Sequence, residues 1–288
     1  MLSMALALAA SPALAAETRL FTIQEPFGLA WGPDRVNYAV EFPTGAVAAQ
    51  GVALADAAGK SVPVQMSDIE YWPDGKSVKK ATLSFMATLA PDQTATWKLT
   101  AGTQPVPQAG EVKAELKGST IELTNAKTGV RLVGGKQAFK EPIAGDKLPA
   151  PIQGVRLPNG KWIGKGAWQT NIPCTGYSAE IPDNGPVFAR AKLRYDFEGG
   201  KSYAATIELN AGQDLAVVSE EYNLSEGKRY PMTGLDGMKA DERYGYVLPQ
   251  FASADKALIW DWWGQTMAKL PTPNAYTFSF HDGLSPDS

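Results

Sequence analysis

The chain has 288 residues, 44% hydrophobic and 20% charged, which is enough to bury a core in one large or two modest domains. A formal charge of −3 and a pI near 5.4 exclude nucleic acid as the main partner, because phosphate binding needs a clustered excess of Lys and Arg. The single cysteine, Cys174, excludes an internal disulfide and a cysteine-based zinc site, and it reads as a small buried hydrophobe rather than a nucleophile.

Residues Leu2 to Leu14 form a short apolar run that ends in Ala13-Leu14-Ala15. This pattern predicts a signal peptide over 1–16 and an exported protein, periplasmic or extracellular. The run is shorter than the ~20 residues that span a bilayer, so no integral membrane segment is expected.

Strand signals follow. Val36, Tyr38, Val40 and Phe42 alternate, and Val52 and Leu54 precede a loop ahead of Val62, Val64 and Met66. Trp72-Pro-Asp-Gly75 then supplies turn chemistry: a fixed φ, an Asx-type side-chain bond and freedom to take φ > 0. Val78, Leu83, Phe85, Ala87 and Leu89 recur largely at every second position after it, and Ala95, Trp97 and Leu99 alternate in turn. Short strands broken by Gly, Pro and Asp predict a small barrel or sandwich over 17–101. Residues 102–110 carry two prolines, one glycine before Gly110 and no charge, the composition of a linker.

Longer strands resume over 111–288. Pro158-Asn-Gly160 marks a hairpin. Val187 to Phe197 alternate over eleven residues, then turn through Gly199 and Gly200 into Tyr203, Ala205, Ile207 and Leu209. A meander of this kind, buried on one side, predicts an antiparallel β-sandwich. Ala254 to Leu270 shows a partial helical spacing, weakened by Gly264, and predicts a short helix near the C-terminus.

The stretches Tyr38–Ala46, Gly59–Gln65, Trp72–Gly75 and Ala81–Phe85 resemble the N-terminal RIFT-barrel module of exo-rhamnogalacturonan-lyase-like proteins. Pro186–Tyr195 and Ile207–Gln213 resemble that family's central sandwich. The resemblance implies an all-β chain with a small RIFT-type barrel followed by a sandwich. It also implies a C-terminal α/α toroid that is missing here, so the sandwich over 111–288 would be truncated. The implied setting is a polysaccharide or oligosaccharide of pectin type, with lyase chemistry in the full-length protein and the catalytic groups on the missing module. Trp72 would then wedge a barrel end or a domain seam.

The residues offer few reagents for such chemistry. Elimination from a uronic acid needs a base, a cation for the carboxylate and an acid for the leaving oxygen. The one histidine, His281, lies close to the end of the chain and reads as a surface or interdomain residue. Trp260, Trp262 and Trp263, with Arg243, Tyr244 and Tyr246 before them, form the best candidate binding set. Indoles stack on sugar faces, and Arg forks onto a uronate carboxylate. Trp162 and Trp168 form a second aromatic pair, for which core or loop packing is the plainer reading. No cofactor is expected. Asp183, Asp214 and Asp241 have calcium-binding chemistry, but they lie in no ligand loop of recognisable spacing. The alternative function is a non-catalytic carbohydrate-binding or structural cell-surface β-module.

Overall fold

The computed structural model describes residues 17–168 and 170–224, together with the backbone of four short strand segments at 232–233, 242–245, 268–269 and 277–279. The chain divides into two compact units at Met232–Thr233.

The first seven strands are β1 (Glu17–Gln24), β2 (Trp31–Glu41), β3 (Val52–Asp56), β4 (Ser61–Val62), β5 (Val64–Tyr71), β6 (Val78–Leu89) and β7 (Thr94–Ala101). They form two antiparallel sheets, β1-β7-β3-β4 and β2-β6-β5. Alternation decides which side chains go inside. Leu83, Phe85, Ala87 and Leu89 of β6 are buried, as are Trp97, Leu99 and Ala101 of β7. The two inner faces meet in one core, where Phe21 stacks on Tyr38 at 4.3 Å and Phe85 tilts against Trp97 at 5.1 Å between ring centroids.

This arrangement corrects the expectation of a RIFT barrel. Neither sheet closes on the other by strand pairing among the described residues, so the first module is a small sandwich of two open sheets. Trp72 wedges no barrel end. Its Nε1 donates to the Phe42 carbonyl at 3.0 Å, tying the turn back to the same sandwich. Asp74 accepts the N–H groups of Lys76 and Ser77 at 2.8 and 2.9 Å and the Ser77 hydroxyl at 2.5 Å. Those bonds, the Ser77 hydroxyl foremost, hold its carboxyl below the ordinary aspartate range.

The 102–110 segment is strapped to the first sandwich. The Val106 N–H donates to Gln50 O, and the Gln108 amide accepts the Val64 N–H at 3.2 Å and donates to Val52 O at 2.9 Å.

The next eleven strands are β8 (Lys113–Lys117), β9 (Thr120–Thr124), β10 (Gly129–Val133), β11 (Lys136–Ile143), β12 (Ile152–Arg156), β13 (Trp162–Ile163), β14 (Lys165–Gly166), β15 (Cys174–Asn184), β16 (Phe188–Phe197), β17 (Lys201–Asn210) and β18 (Ala216–Tyr222). Two five-stranded antiparallel sheets, β13-β12-β10-β9-β8 and β11-β15-β16-β17-β18, enclose a second core. Trp168 lies at its centre, edge-on to Tyr195, Phe197 and Tyr203, with its Nε1 donating to Pro149 O at 3.1 Å.

No α-helix occurs among the described residues. The helical turns there are two three-residue 3-10 segments, Gly145–Lys147 and Glu198–Gly200. The expected C-terminal helix is corrected in part, because Ala268–Lys269 is a strand. The remainder of 254–270 lies outside the described residues, as does the expected signal peptide over 1–16. In the second unit, Glu242–Gly245 pairs antiparallel with Ala268–Lys269 on one side and Thr277–Ser279 on the other.

Candidate functional site

A largely buried network of charges lies where the two sandwiches meet. Arg35 comes from β2 and Asp68 from β5 of the first sandwich. Asp183 comes from β15, Arg190 from β16 and Glu208 from β17 of the second. Glu208 bridges the modules: its Oε2 accepts from Arg35 Nη2 at 2.6 Å, and its Oε1 accepts from Arg190 Nε at 2.7 Å. The other side of the Arg190 fork, Nη1, lies 3.0 Å from Asp183 and 3.3 Å from Asp68. Phe188 is fully buried between the two cations, with the Arg35 and Arg190 guanidinium carbons 4.3 and 5.1 Å from its ring centroid. Arg35 Nη1 is buried without a hydrogen-bond partner among the described residues.

Strand irregularities deliver the two aspartates. The β5–β6 register slips between Ser67 and Glu70, and Asp68 takes a left-handed φ of 50°. The β15–β16 register slips between Glu180 and Asp183. Bulges of this kind re-aim a side chain, and here both turn a carboxylate toward Arg190. Beside them, the Gln65 Oε1 accepts the backbone N–H groups of Val187 and Phe188 at 3.1 and 3.0 Å.

Three carboxylates therefore face two guanidiniums, and their protons are held unequally. Burial pushes Asp183 up from the ordinary aspartate range, with Asp68 and Glu208 adding to the rise and Arg190 opposing it. Burial would also raise Glu208, but hydrogen bonds from Arg35 and Arg190 and their charges outweigh it and hold Glu208 below its ordinary value.

Two clefts flank the seam. One, of about 370 Å³, is lined by Gln50, Gln65, Gln108, Asp183 and Asn184 among others. Three of its amides are engaged in the fold: Gln65 and Gln108 as described, and Asn184 with both the N–H and the C=O of Ala114. The other, of about 470 Å³, is largely apolar and includes Pro33, Met86, Gly110 and Pro186. The chemistry this arrangement supports is cohesion, since nearly every polar group in it is committed across or beside the joint.

The residues proposed from sequence are elsewhere. Arg243 and Tyr244 lie in the Glu242–Gly245 strand, in register with Phe278 and Thr277, and Tyr244 also pairs with Lys269. Tyr246, Trp260, Trp262, Trp263 and His281 lie outside the described residues, as does Asp241. Asp183 belongs to the seam, and Asp214 is exposed. No group of three or more His, Cys, Asp or Glu able to hold a metal occurs among the described residues. Trp168 is a core residue, and Trp162 is half-buried beneath Arg131, whose guanidinium lies 4.3 Å from the ring. Sequence reasoning missed the seam. Its one local signal is Val187-Phe188-Ala189, three consecutive buried apolar residues at the start of an otherwise alternating strand, which mark an end covered on both faces.

No protein-family model matches the chain, and no curated protein matches it. Together with the open sheets of the first module, this overturns the resemblance to exo-rhamnogalacturonan-lyase-like proteins, on which the implied toroid and lyase chemistry rested.

Proposed function

We propose that this chain is a non-catalytic structural β-module of an exported protein, in which two sandwiches are locked into one rigid scaffold. The observation that carries the reading is the Glu208 carboxylate, held between Arg35 of one sandwich and Arg190 of the other. A carboxylate spent on two guanidiniums, beside a glutamine spent on two backbone N–H groups, acts as a strut. Export rests on the Leu2–Leu14 run and its Ala-x-Ala end.

The test is equilibrium unfolding in urea, followed by tryptophan fluorescence and by far-ultraviolet dichroism. A locked scaffold gives one coincident transition for residues 17–224, and weakening the seam with Glu208→Gln splits it into two. Two separate transitions in the wild-type protein would sink the reading.

A second reading, binding of a polysaccharide or oligosaccharide, is favoured by the aromatic composition of the 243–263 segment, with Tyr244, Tyr246, Trp260, Trp262 and Trp263, and by Arg243 beside Tyr244. It predicts saturable quenching of tryptophan emission by a uronate-containing glycan, lost on Trp262→Ala. Quenching that survives this substitution would remove those residues from the proposal.

A further inference from the structure

The turn between β1 and β2, with the first residues of β2, combines features that cohesion of the scaffold does not require. Residues 26–33, Pro-Phe-Gly-Leu-Ala-Trp-Gly-Pro, carry no charge, and all are exposed except the half-buried Trp31. Phe27 is 81% exposed and Leu29 is 67% exposed. A buried side chain holds them out. The carboxylate of Glu25 accepts the N–H of Phe27 at 2.8 Å through Oε1, and those of Leu29 at 3.1 Å and Asp92 at 3.0 Å through Oε2. The Glu25 N–H donates to Gln93 O at 2.9 Å, so the loop and the 90–93 turn form one tip. Gly28, at φ 69°, reverses the chain between the two apolar residues, and Asp92 takes φ 58° to bring its N–H to Glu25.

We propose that this tip docks on a zwitterionic lipid surface, with Phe27 and Leu29 entering the headgroup boundary. Three observations favour that occupant. Backbone N–H groups that leave water need internal partners, and Glu25 supplies them to three residues of the tip. The tip presents two exposed apolar side chains close in sequence to a half-buried indole, a combination that suits a fluid interface. Its charge disfavours anionic polymers and anionic lipid alike, because no Lys or Arg occurs over 24–34 or 90–97, while Asp34 and Asp92 do. A sugar site would set free hydrogen-bonding side chains beside the ring; in this tip Glu25 is spent on backbone N–H groups and Gln93 Oε1 accepts the Ala90 N–H, which leaves the Trp31 indole and the Asp92 carboxylate. The Asp92 N–H first, and those of Phe27 and Leu29 with it, hold Glu25 below the ordinary glutamate range despite its burial, which keeps the frame assembled at mildly acidic pH.

The experiment is sedimentation of the full chain with phosphatidylcholine vesicles, compared with Phe27→Ser/Leu29→Ser. Two inserted side chains give weak, reversible binding, with half-saturation on the order of millimolar lipid and little dependence on salt. The double variant is expected to bind about tenfold more weakly while its urea midpoint stays in place, since both side chains are exposed. Glu25→Gln, which keeps the apolar side chains and weakens their frame, is expected to lose about threefold. The proposal is overturned if the wild type does not sediment with vesicles, if the double variant sediments equally, or if binding appears only with phosphatidylglycerol. Variant-sensitive, saturable binding to a neutral polysaccharide or to a protein groove in the absence of lipid would likewise replace it.

Discussion

Gln65 on β5 and Phe188 at the start of β16 are joined by one hydrogen bond, the Phe188 N–H donating to Gln65 Oε1 at 3.0 Å, and the same oxygen accepts the Val187 N–H at 3.1 Å. One side chain thus satisfies two buried donors of the neighbouring sandwich. Replacing it with an apolar group of similar size leaves both donors unpaired, at about 1–3 kcal/mol each before relaxation. Gln65→Leu is expected to destabilise the protein by about 2–3 kcal/mol in urea unfolding at pH 7. Gln137→Leu, at an exposed position, should stay within about 0.5 kcal/mol of the wild type. Equal behaviour of the two variants would show that the Gln65 contacts carry no weight.

The pH dependence of the seam follows from two carboxylates shifted in opposite directions. Glu208 is held below its unfolded value of about 4.3, so it contributes stability above that value and loses it as pH falls through the folded one. Asp183 is raised, so its contribution is full below about 3.9 and is lost as pH rises through its folded value. At pH 7 the ionised Asp183 is a cost and the ionised Glu208 a gain. Glu208→Gln is therefore expected to cost about 3 kcal/mol at pH 7, because it strips a charge partner from both Arg35 and Arg190. It should also flatten the acid limb of the stability curve between pH 5 and 3. Asp183→Asn is expected to be neutral or stabilising at pH 7, since Arg190 keeps Glu208. Urea midpoints measured across pH for both variants check the signs, and a loss of stability of similar size in both would contradict them.

How much of this was legible beforehand depends on the range of the interaction. The Val187–Phe197 alternation and the Val78–Leu89 alternation became β16 and β6 because side-chain direction along a strand is a local property. Sheet order is not local. The same alternation serves a closed barrel and two open sheets, and β1 finds β7 some seventy residues away. Closure depends on which edges meet, and no residue of β1, β4, β2 or β5 records that in its pattern. The seam was hidden for the same reason. Arg35, Asp68, Asp183, Arg190 and Glu208 are far apart in the chain, and they become a network only when the two sandwiches touch. Composition marks the 102–110 segment as a linker but does not record that Gln108 and Val106 bind it to the first sandwich.

Gly110, at the end of that segment, is placed against Pro186 of the second sandwich, and a Cβ built on it would overlap the Pro186 Cα and Cβ. Proline backbone has little room to yield, so the linker would have to lift from the seam. Gly110→Ala is expected to cost about 2–3 kcal/mol through overpacking. Gly59→Ala, which points into open space at φ 81°, should cost about 1 kcal/mol from its backbone conformation alone. Thermal or urea unfolding of the pair distinguishes a packing constraint at the joint from the general cost of replacing glycine, and a smaller loss at Gly110 than at Gly59 would show that the joint is loose.

Cys174 reports on the integrity of the second sandwich. It opens β15, pairs in register with Ile143 and Phe197, and is wholly buried, with its thiol donating to Gly176 O at 3.3 Å. Burial pushes the thiol up from its ordinary value, and the nearby Asp196 carboxylate adds to the rise. The nucleophilic thiolate is thus suppressed and the sulfur is shielded from reagent. A soluble disulfide reagent at pH 8 is expected to leave Cys174 unmodified in the native protein and to react at a rate set by opening of the second sandwich. Labelling in rising urea should then track loss of that core, and Glu208→Gln should accelerate it if the seam supports both modules. Rapid labelling of the native protein without urea would mean that β15 opens locally, and that the second sandwich is less firmly closed than its core packing implies.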